Sequence, residues 1–331
     1  MILYVLEKGD FMNLIHSTNY KIYNEKNNAE FRLCLMNDLH FSNYTLNEKL
    51  YRILKKIESD NPNYILFVGD LLDSVDMISD LNEKKRLLNW LSNLGSISNT
   101  FISLGSHDYC KKLLDDNNKQ ISWIYDYPKD FIEEANKITN VTILDNNSFQ
   151  DKNIYLMGYT QGMLYFNPIE IKKQSLLTRR KEDKAQMIKE LKDLKQMITN
   201  IPYNTINLLM CHSPYYLNDS EILSYISEFD YYLSGHMHNG LVPPIINELW
   251  CSKRGFIAPN RQLFADNERN TLINKDDKLI VNGPLTTFHE NSGLLRHLNI
   301  IYPSYITTLD FTKDEKYNTS KIYTKKKYNI L

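Results

Sequence analysis

The stretch that decides the fold of this chain is Phe31-Arg32-Leu33-Cys34-Leu35-Met36-Asn37-Asp38-Leu39-His40. An apolar run this short, followed by the polar residues Ser42 and Asn43, indicates a buried strand rather than a helix. Residues at positions i and i+2 of an extended chain point to the same face, so Asp38 and His40 can bind one cation. Taken alone, Asp-x-His is equally typical of a strand that ends in polar loop residues.

The same pattern, a buried strand followed by polar residues, recurs twice in the next part of the chain. Helical spacing of Leu and Ile predicts a crossover helix at residues 45–59, and the apolar run 64–68 ends in Gly69-Asp70-Leu71-Leu72-Asp73. After another helix, a strand at residues 100–104 leads to Gly105-Ser106-His107-Asp108. Alternating strands and helices predict a parallel sheet with right-handed crossovers. Ligands of such sheets bind beyond the carboxyl ends of the strands, where all three polar clusters fall.

Two later apolar runs, residues 207–211 and 229–233, end in the same way at His212 and at Ser234-Gly235-His236-Met237-His238. The chain has eight histidines, and most of them stand at these predicted strand ends: His40, His107, His212, His236 and His238. A single histidine is usually structural, but this concentration indicates a functional site.

Taken together, these residues resemble the blocks of the calcineurin-like metallophosphoesterase superfamily. The family has five blocks, which are Asp-x-His, Gly-Asp-x-x-Asp, Gly-Asn-His-Asp, a strand-end His and Gly-His-x-His. All five occur here in the same order, the third with one substitution. The resemblance extends more loosely to predicted strands at residues 279–282 and 306–311. It implies an α/β fold, a layered α/β/β/α sandwich with two central mixed sheets and flanking helices.

The resemblance also implies a dinuclear metal centre. The implied ligands are Asp38, His40 and His238 for one metal, His212 and His236 for the other, and Asp70 as the bridge. Carboxylate and imidazole ligands suit two divalent or trivalent transition metal ions such as Mn, Fe or Zn, and the absence of thiolate argues against a structural Cys-type zinc site. Where the family has Asn, this chain has Ser106, whose neutral hydroxyl is a poorer donor. A water could fill the gap, Ser106 could ligate directly, or the site could depend more on metal concentration.

The implied function is hydrolysis of a phosphate mono- or diester with a metal-bound hydroxide as nucleophile, so no catalytic Ser or Cys is required. His107 stands where the family places the residue that protonates the leaving group or stabilises the transition state. Asp108 is expected to orient His107 or a neighbouring ligand. For Asp73, a cap on the following turn and a supporting role in the site are both open. Nucleotides, phospholipid-type diesters, phosphoproteins and sugar phosphates all remain possible substrates.

Composition limits the other possibilities. The chain has 331 residues, 42% of them hydrophobic and 24% charged, which is typical of a globular protein. A net charge of −1 disfavours tight binding of long nucleic acid. The four cysteines lack metal-finger or redox-pair spacing and are predicted to be buried free thiols, and no stretch resembles a signal peptide or a membrane span. A cytoplasmic location is therefore expected. No protein partner can be inferred.

The predicted organisation is one main domain, the phosphoesterase domain at residues 31–315, which includes a loop-rich region over the site at 240–292. An N-terminal extension or edge strand at 1–30 precedes it, and a C-terminal tail or final strand at 316–331 follows it. Aromatic residues between positions 109 and 127 are candidates for another wall of the pocket. Arg254 and Arg261 are candidate phosphate clamps, although an ordinary surface position is the simpler interpretation of both.

Two alternative functions remain open at this stage. Nucleases that process DNA ends share these metal blocks and would apply the same chemistry to DNA or RNA. The other alternative is a non-catalytic binding module with a decayed second metal site, an interpretation that only Ser106 favours.

Overall fold

The computed structural model describes residues 15–27, 29–116, 120–162, 176–198, 201–214, 217, 219–243, 255–257, 278–288, 290–317 and 323–329. Within these residues the largest sheet has seven strands. Their spatial order is β14 (Tyr323–Asn329), β1 (Ile15–Tyr23), β13 (Ser304–Thr312), β2 (Phe31–Met36), β3 (Tyr64–Val68), β4 (Asn99–Ser103) and β7 (Val141–Leu144). Strands β2, β3, β4 and β7 are mutually parallel, whereas β13 is antiparallel to β2. The parallel arrangement predicted for the first three strands is confirmed.

A second sheet of five strands carries the later part of the site. Its order is β12 (Leu279–Val281), β11 (Tyr231–Ser234), β10 (Ile206–Cys211), β9 (Ile154–Tyr159) and β8 (Asn147–Gln150). Strands β9 to β12 are parallel, and β8 pairs with β9 in antiparallel orientation. A separate antiparallel hairpin is formed by β5 (Cys110–Leu114) and β6 (Gln120–Tyr125).

Helices cover the outer face of each large sheet. Helices α1 (Asn47–Asp60), α2 (Leu81–Ile97) and α3 (Lys129–Ala135) pack on the seven-stranded sheet. Helices α4 (Leu176–Met197) and α5 (Ser220–Tyr225) pack on the five-stranded sheet. A third hydrophobic core lies between the two sheets. The predicted α/β/β/α sandwich with two central mixed sheets is therefore confirmed.

The two-residue period of a strand explains why β2 is apolar on both faces. Cys34 and Met36 belong to the core under the helices, whereas Leu33 and Leu35 belong to the core between the sheets. All four side chains have no exposed area. A strand buried on both sides therefore requires an uninterrupted apolar run, here Leu33-Cys34-Leu35-Met36.

Some details of the sequence interpretation need correction or lie outside the described residues. Residues 20–23 belong to β1, which is not an edge strand, because β14 pairs with its outer side and forms the edge instead. Between positions 109 and 127, where the sequence suggested another wall of the pocket, the described residues form the two strands of the β5–β6 hairpin. Arg254, Arg261 and most of the region predicted to cover the site lie outside the described residues. No described helix combines the length and apolarity that crossing a membrane requires.

Candidate metal centre

The carboxyl ends of five strands, β2, β3, β4, β10 and β11, meet at one edge of the sandwich. The side chains that they bring together are Asp38, His40, Asp70, Ser106, His107, His212, His236 and His238. All of these residues are buried except His107, His236 and His238, which are partly exposed. The structure thus assembles every residue that the sequence analysis placed in the metal site, although their roles as ligands remain a proposal.

One group of potential ligands consists of Asp38, His40 and His238. Oδ1 of Asp38 lies 3.6 Å from Nε2 of His40 and 3.5 Å from Nε2 of His238. Among the described residues, no group donates a hydrogen bond to this buried oxygen. Two atoms that each bind a cation at about 2.1 Å are separated by roughly 3–3.5 Å. The spacing and the unsatisfied oxygen therefore both fit a cation among these side chains.

The second group consists of Asp70, His212 and His236. Oδ2 of Asp70 lies 2.9 Å from Nε2 of His212 and 3.9 Å from Nε2 of His40, which belongs to the first group. Oδ1 of Asp38 is likewise 3.6 Å from Nε2 of His212. The two groups are thus contiguous, with the Asp70 carboxylate between them.

Backbone carbonyls fix the orientation of three imidazoles. Nδ1 of His212 donates to the carbonyl of Val68 (2.8 Å), and Nδ1 of His238 donates to the carbonyl of Thr287 (2.7 Å). Nδ1 of His107 donates to the carbonyl of Asp73 (2.7 Å). Because a carbonyl oxygen only accepts, the hydrogen must be on Nδ1 in each ring. In a neutral ring Nε2 then carries the lone pair, which is the form that binds a metal.

Most of the clustered residues have left-handed backbone conformations, which are rare for residues other than glycine. They are Asp38 (φ 52°), His40 (φ 47°), Asp70 (φ 54°), His236 (φ 65°) and His238 (φ 47°). Such strained conformations concentrate at functional sites, where the surrounding structure enforces them. Here they turn the chain sharply at the strand ends, so that side chains from separate loops face one point.

The electrostatics of the cluster stabilise positive charge. Burial alone would raise the pKa of Asp38, yet His238 and His212 hold that pKa below its ordinary value. Burial opposes a charge on His212, but Asp70 and Asp38 raise its pKa to about 10. Burial and the neighbouring His212 lower the pKa of His236 to about 3. The carboxylates therefore stay ionised and favour positive charge between them, which is the environment that a cation requires.

Asp108 and Ser106 support the loop around Asp70. The Asp108 carboxylate accepts hydrogen bonds from the backbone N–H groups of Leu72 and Gly105, both at 2.8 Å, and burial raises its pKa to about 7. Oγ of Ser106 lies 3.5 Å from Oδ1 of Asp70. By accepting from Leu72 and from Gly105, the Asp108 side chain joins the two segments that carry Asp70 and His107.

A third group of potential ligands, His40, Asp73 and His107, shares His40 with the first. Oδ2 of Asp73 lies 2.6 Å from Nζ of Lys112, and the Asp73 side chain has no exposed area. Lys112 therefore already compensates the charge of this carboxylate. The N-cap position of the following 3₁₀ turn, Val75–Ser79, is occupied by Ser74 rather than by Asp73.

Sequence reasoning missed the buried amide chain behind Asp38. Nδ2 of Asn37 donates to Oδ2 of Asp38, and Nδ2 of Asn282 donates to Oδ1 of Asn37 at 2.6 Å. Oδ1 of Asn282 in turn accepts from the hydroxyl of Thr307 at 2.7 Å. Asn37 is adjacent to Asp38 in the sequence, but nothing in the sequence pairs it with a residue 245 positions away.

The family profile of the calcineurin-like phosphoesterases matches residues 31–240, which is more than half of the chain and includes every residue of the cluster. The chain belongs to this family. An uncharacterized metallophosphoesterase of Campylobacter jejuni, Cj0846, is 22% identical over 276 residues, covering 77% of this phosphoesterase-family chain. The chain spans 61% of that relative's length.

Two solved structures are similar at low identity. A dimetal phosphatase from Danio rerio is 10% identical, with a TM-score of 0.42 over 91% of this chain and 96% of that chain. The Pseudomonas putida nuclease MPE is also 10% identical, with a TM-score of 0.24 over 38% of this chain and 52% of that chain.

Proposed function

We propose that this phosphoesterase-family chain hydrolyses phosphate mono- or diesters at a dinuclear metal centre. The observation that carries the proposal is the position of Asp70, whose Oδ2 lies 2.9 Å from Nε2 of His212 and 3.9 Å from Nε2 of His40. A carboxylate between two groups of imidazoles can bridge a pair of cations, which in two-metal sites lie about 3.5–4 Å apart.

In this proposal the chain's own residues divide into two ligand sets. The ligands are Asp38, His40 and His238 for one cation, Ser106, His212 and His236 for the other, and Asp70 for both. Oxygen and imidazole donors suit Mn, Fe or Zn. When bound, such a pair polarises phosphoryl oxygens and lowers the pKa of water toward neutrality.

His107 is proposed as the residue that protonates the leaving group. Its Nδ1–H is held by the Asp73 carbonyl, so any exchangeable proton is at Nε2. As the P–O bond of the ester breaks, the proton on Nε2 of the imidazolium passes to the leaving oxygen, and the ring remains neutral with its hydrogen on Nδ1. Burial lowers the pKa of His107, whereas Asp70 opposes this effect. A bound phosphate anion would raise the pKa of His107, as Asp70 does.

The substrate is proposed to be a phosphorylated small molecule or a phosphodiester. A net charge of −1 does not favour a protein that binds many phosphates of a long nucleic acid. Asp108 is proposed as a positioning residue, since its carboxylate joins the loop of Gly105 to the loop of Leu72.

We also propose the cytoplasm as the location of the chain. Cys34 and Cys211 are buried free thiols in the described structure. Unpaired thiols are typical of reducing compartments. Cell fractionation would test the location.

A metal analysis combined with a substrate panel tests the proposal. The purified chain is loaded with Mn²⁺, its metals are counted by mass spectrometry, and p-nitrophenyl phosphate, bis(p-nitrophenyl) phosphate and end-labelled single-stranded DNA are supplied as substrates. Two cations per chain and hydrolysis of a small ester, abolished by EDTA, would support it. The variant Asp70→Asn should lose both properties. Its matched control is Asp193→Asn, which changes an exposed carboxylate on α4 and should keep both.

Two results would contradict the proposal in different ways. Fewer than one cation per chain together with no hydrolysis in added Mn²⁺ would favour a binding module. Much faster turnover of DNA than of either small ester would favour a nuclease.

A further inference from the structure

The β5–β6 hairpin lies beside the metal centre, and its inner face is defined by one cross-strand pair. Lys112 of β5 is directly opposite Trp123 of β6. Side chains of directly opposed residues in an antiparallel pair project from the same face. Lys112 and Trp123 therefore project together, from the face of the hairpin that is turned toward Asp73 and His107.

Lys112 reaches His107 through Asp73. Its Nζ lies 2.6 Å from Oδ2 of Asp73, and the exposed fraction is only 10% for the Lys112 side chain and 0% for that of Asp73. The backbone carbonyl of the same Asp73 accepts the hydrogen bond from Nδ1 of His107. The backbone N–H of Lys112 also donates to Oδ2 of Asp76 at 2.9 Å, which joins the hairpin to the segment after Asp73. The side chain and the main chain of Lys112 thus hold the segment that orients His107.

Trp123 holds the His107 ring from another side. The ring centroids lie 4.8 Å apart with an interplanar angle of 68°. The His107 ring also contacts His40 of the metal centre, with centroids 4.7 Å apart. His107 is therefore confined between the metal centre, the Asp73 carbonyl and the hairpin, although it is partly exposed on its remaining side.

We propose that Lys112 and Trp123 are positioning residues that orient His107 for proton transfer to the leaving group. This inference rests on the proposed hydrolysis of phosphate esters and assigns a specific step of it to the hairpin. Neither residue needs to touch the substrate. Lys112 fixes the carbonyl that holds Nδ1, and Trp123 limits rotation of the ring.

The opposite face of the hairpin supplies a matched control. Lys111 is paired across the strands with Ile124, on the face away from His107. Its Nζ lies 3.2 Å from the Asp126 carboxylate, and both side chains are well exposed, at 43% and 42%. Lys111→Met removes the same charge from the adjacent position without entering the contacts of His107.

The leaving group provides a kinetic readout of His107. Nitrophenolate leaves readily without a proton, whereas unsubstituted phenolate depends more on protonation. We therefore compare p-nitrophenyl and phenyl esters of phosphate in Mn²⁺, using Lys112→Met, Trp123→Leu and Lys111→Met. Lys112→Met and Trp123→Leu should lower kcat for the phenyl ester by at least ~10-fold and for the nitrophenyl ester by less, with KM and Mn²⁺ content unchanged. Lys111→Met should leave both values as in the wild type.

A second measurement does not depend on activity. With ¹⁵N-labelled histidine, the His107 ring signals are assigned by their absence in His107→Asn. In the metal-free protein, Lys112→Met and Trp123→Leu should move or broaden these signals, while Lys111→Met should not. Lys112→Arg, which keeps the charge, should restore much of the wild-type spectrum and kinetics.

The double variant Asp73→Asn/Lys112→Met reduces the risk of unfolding, because it removes both charges of this ion pair together. It should fold and should show the same selective loss on the phenyl ester. Equal losses on both esters, or unchanged His107 signals, would overturn the positioning role while leaving the hydrolysis intact. If the wild type hydrolyses neither ester, the proposed function fails, and the ring signals alone still decide whether the hairpin positions His107.

Discussion

Oδ1 of Asp70 accepts a hydrogen bond of 2.9 Å from the backbone N–H of His107. The two oxygens of this carboxylate therefore have different partners. Oδ1 is held by the main chain, whereas Oδ2 faces the imidazoles of both ligand groups. The same bond links the residue proposed to bridge the cations with the residue proposed to protonate the leaving group. The effects of changing Asp70 and of changing His107 can therefore be distinguished by measuring metal content and turnover independently.

Asp70→Asn should remove both cations with little loss of folding. The asparagine carbonyl can still accept the hydrogen bond from His107, but the amide NH₂ in place of Oδ2 cannot ligate a metal. Outer contacts of a metal site are worth about 10–100-fold in affinity or activity, so loss of a bridging ligand should cost at least ~10³-fold in kcat/KM. Metal analysis, circular dichroism and kinetics measure the three effects. Retention of two cations per chain would show that Asp70 is not the bridge.

His107→Asn should lower kcat while metal content stays near normal. A general acid contributes about 10²–10⁴-fold to the rate, and the loss should be greatest for poor leaving groups. His297→Asn, which changes an exposed histidine, is the control. If His107→Asn instead strips the cations, His107 is a ligand and its assignment as the proton donor is wrong.

Much of this architecture could be predicted from local sequence. The strand β2 is visible in the sequence because burial on both faces requires an uninterrupted apolar run, and Asp38 and His40 follow it directly. The convergence of the ends of β2, β3 and β4 followed from their parallel order, whereas the approach of β10 and β11 from the second sheet was implied by the family resemblance. These features depend on residues that are close together in the sequence or on a repeated pattern.

The remaining features depend on contacts between distant residues or on backbone angles. Asp38 and His40 do not lie on a regular strand but in left-handed turns (φ 52° and 47°), and the modest preference of Asp and His for this conformation does not predict where it occurs. The pairing of Lys112 with Asp73 requires the hairpin to fold back over the site, and a lysine in a polar stretch is ordinarily exposed. The position of β1 inside the sheet depends on β14, about 300 residues later in the chain.

Ser106→Asn should tighten binding of the second cation. An amide oxygen is a better metal donor than a neutral hydroxyl, and the side chain would extend from a buried position next to Asp70. The Mn²⁺ concentration at half-maximal activity should fall by about 10-fold or more. Ser106→Ala, which offers no donor, is the companion variant. An identical Mn²⁺ titration for all three proteins would mean that position 106 does not contribute to the site.

Gly105→Ala should weaken the site through steric pressure on Asp70. A Cβ at position 105 would lie 2.3 Å from Oδ1 of Asp70 and 2.4 Å from its backbone N, so the bridging residue must move. The backbone conformation of Gly105 (φ −105°) is allowed for alanine, so the effect is one of space alone. Overpacking of this kind costs about 1–3 kcal/mol. Urea denaturation and Mn²⁺ titration should both show the loss, and a wild-type Mn²⁺ affinity would contradict the predicted displacement.

Asn282→Leu should reduce metal affinity from a position behind the proposed ligand Asp38. The substitution removes the donor that holds Oδ1 of Asn37, and Asn37 in turn donates to Oδ2 of Asp38. A buried polar group without its partner costs about 1–3 kcal/mol, and contacts behind a ligand are worth about 10–100-fold in metal affinity. Thr307→Val breaks the outer bond of the chain, the 2.7 Å bond from the Thr307 hydroxyl to Asn282, and should cost less. Calorimetric Mn²⁺ titration of both variants tests this order, and equal or reversed losses would show that the amide chain does not position Asp38.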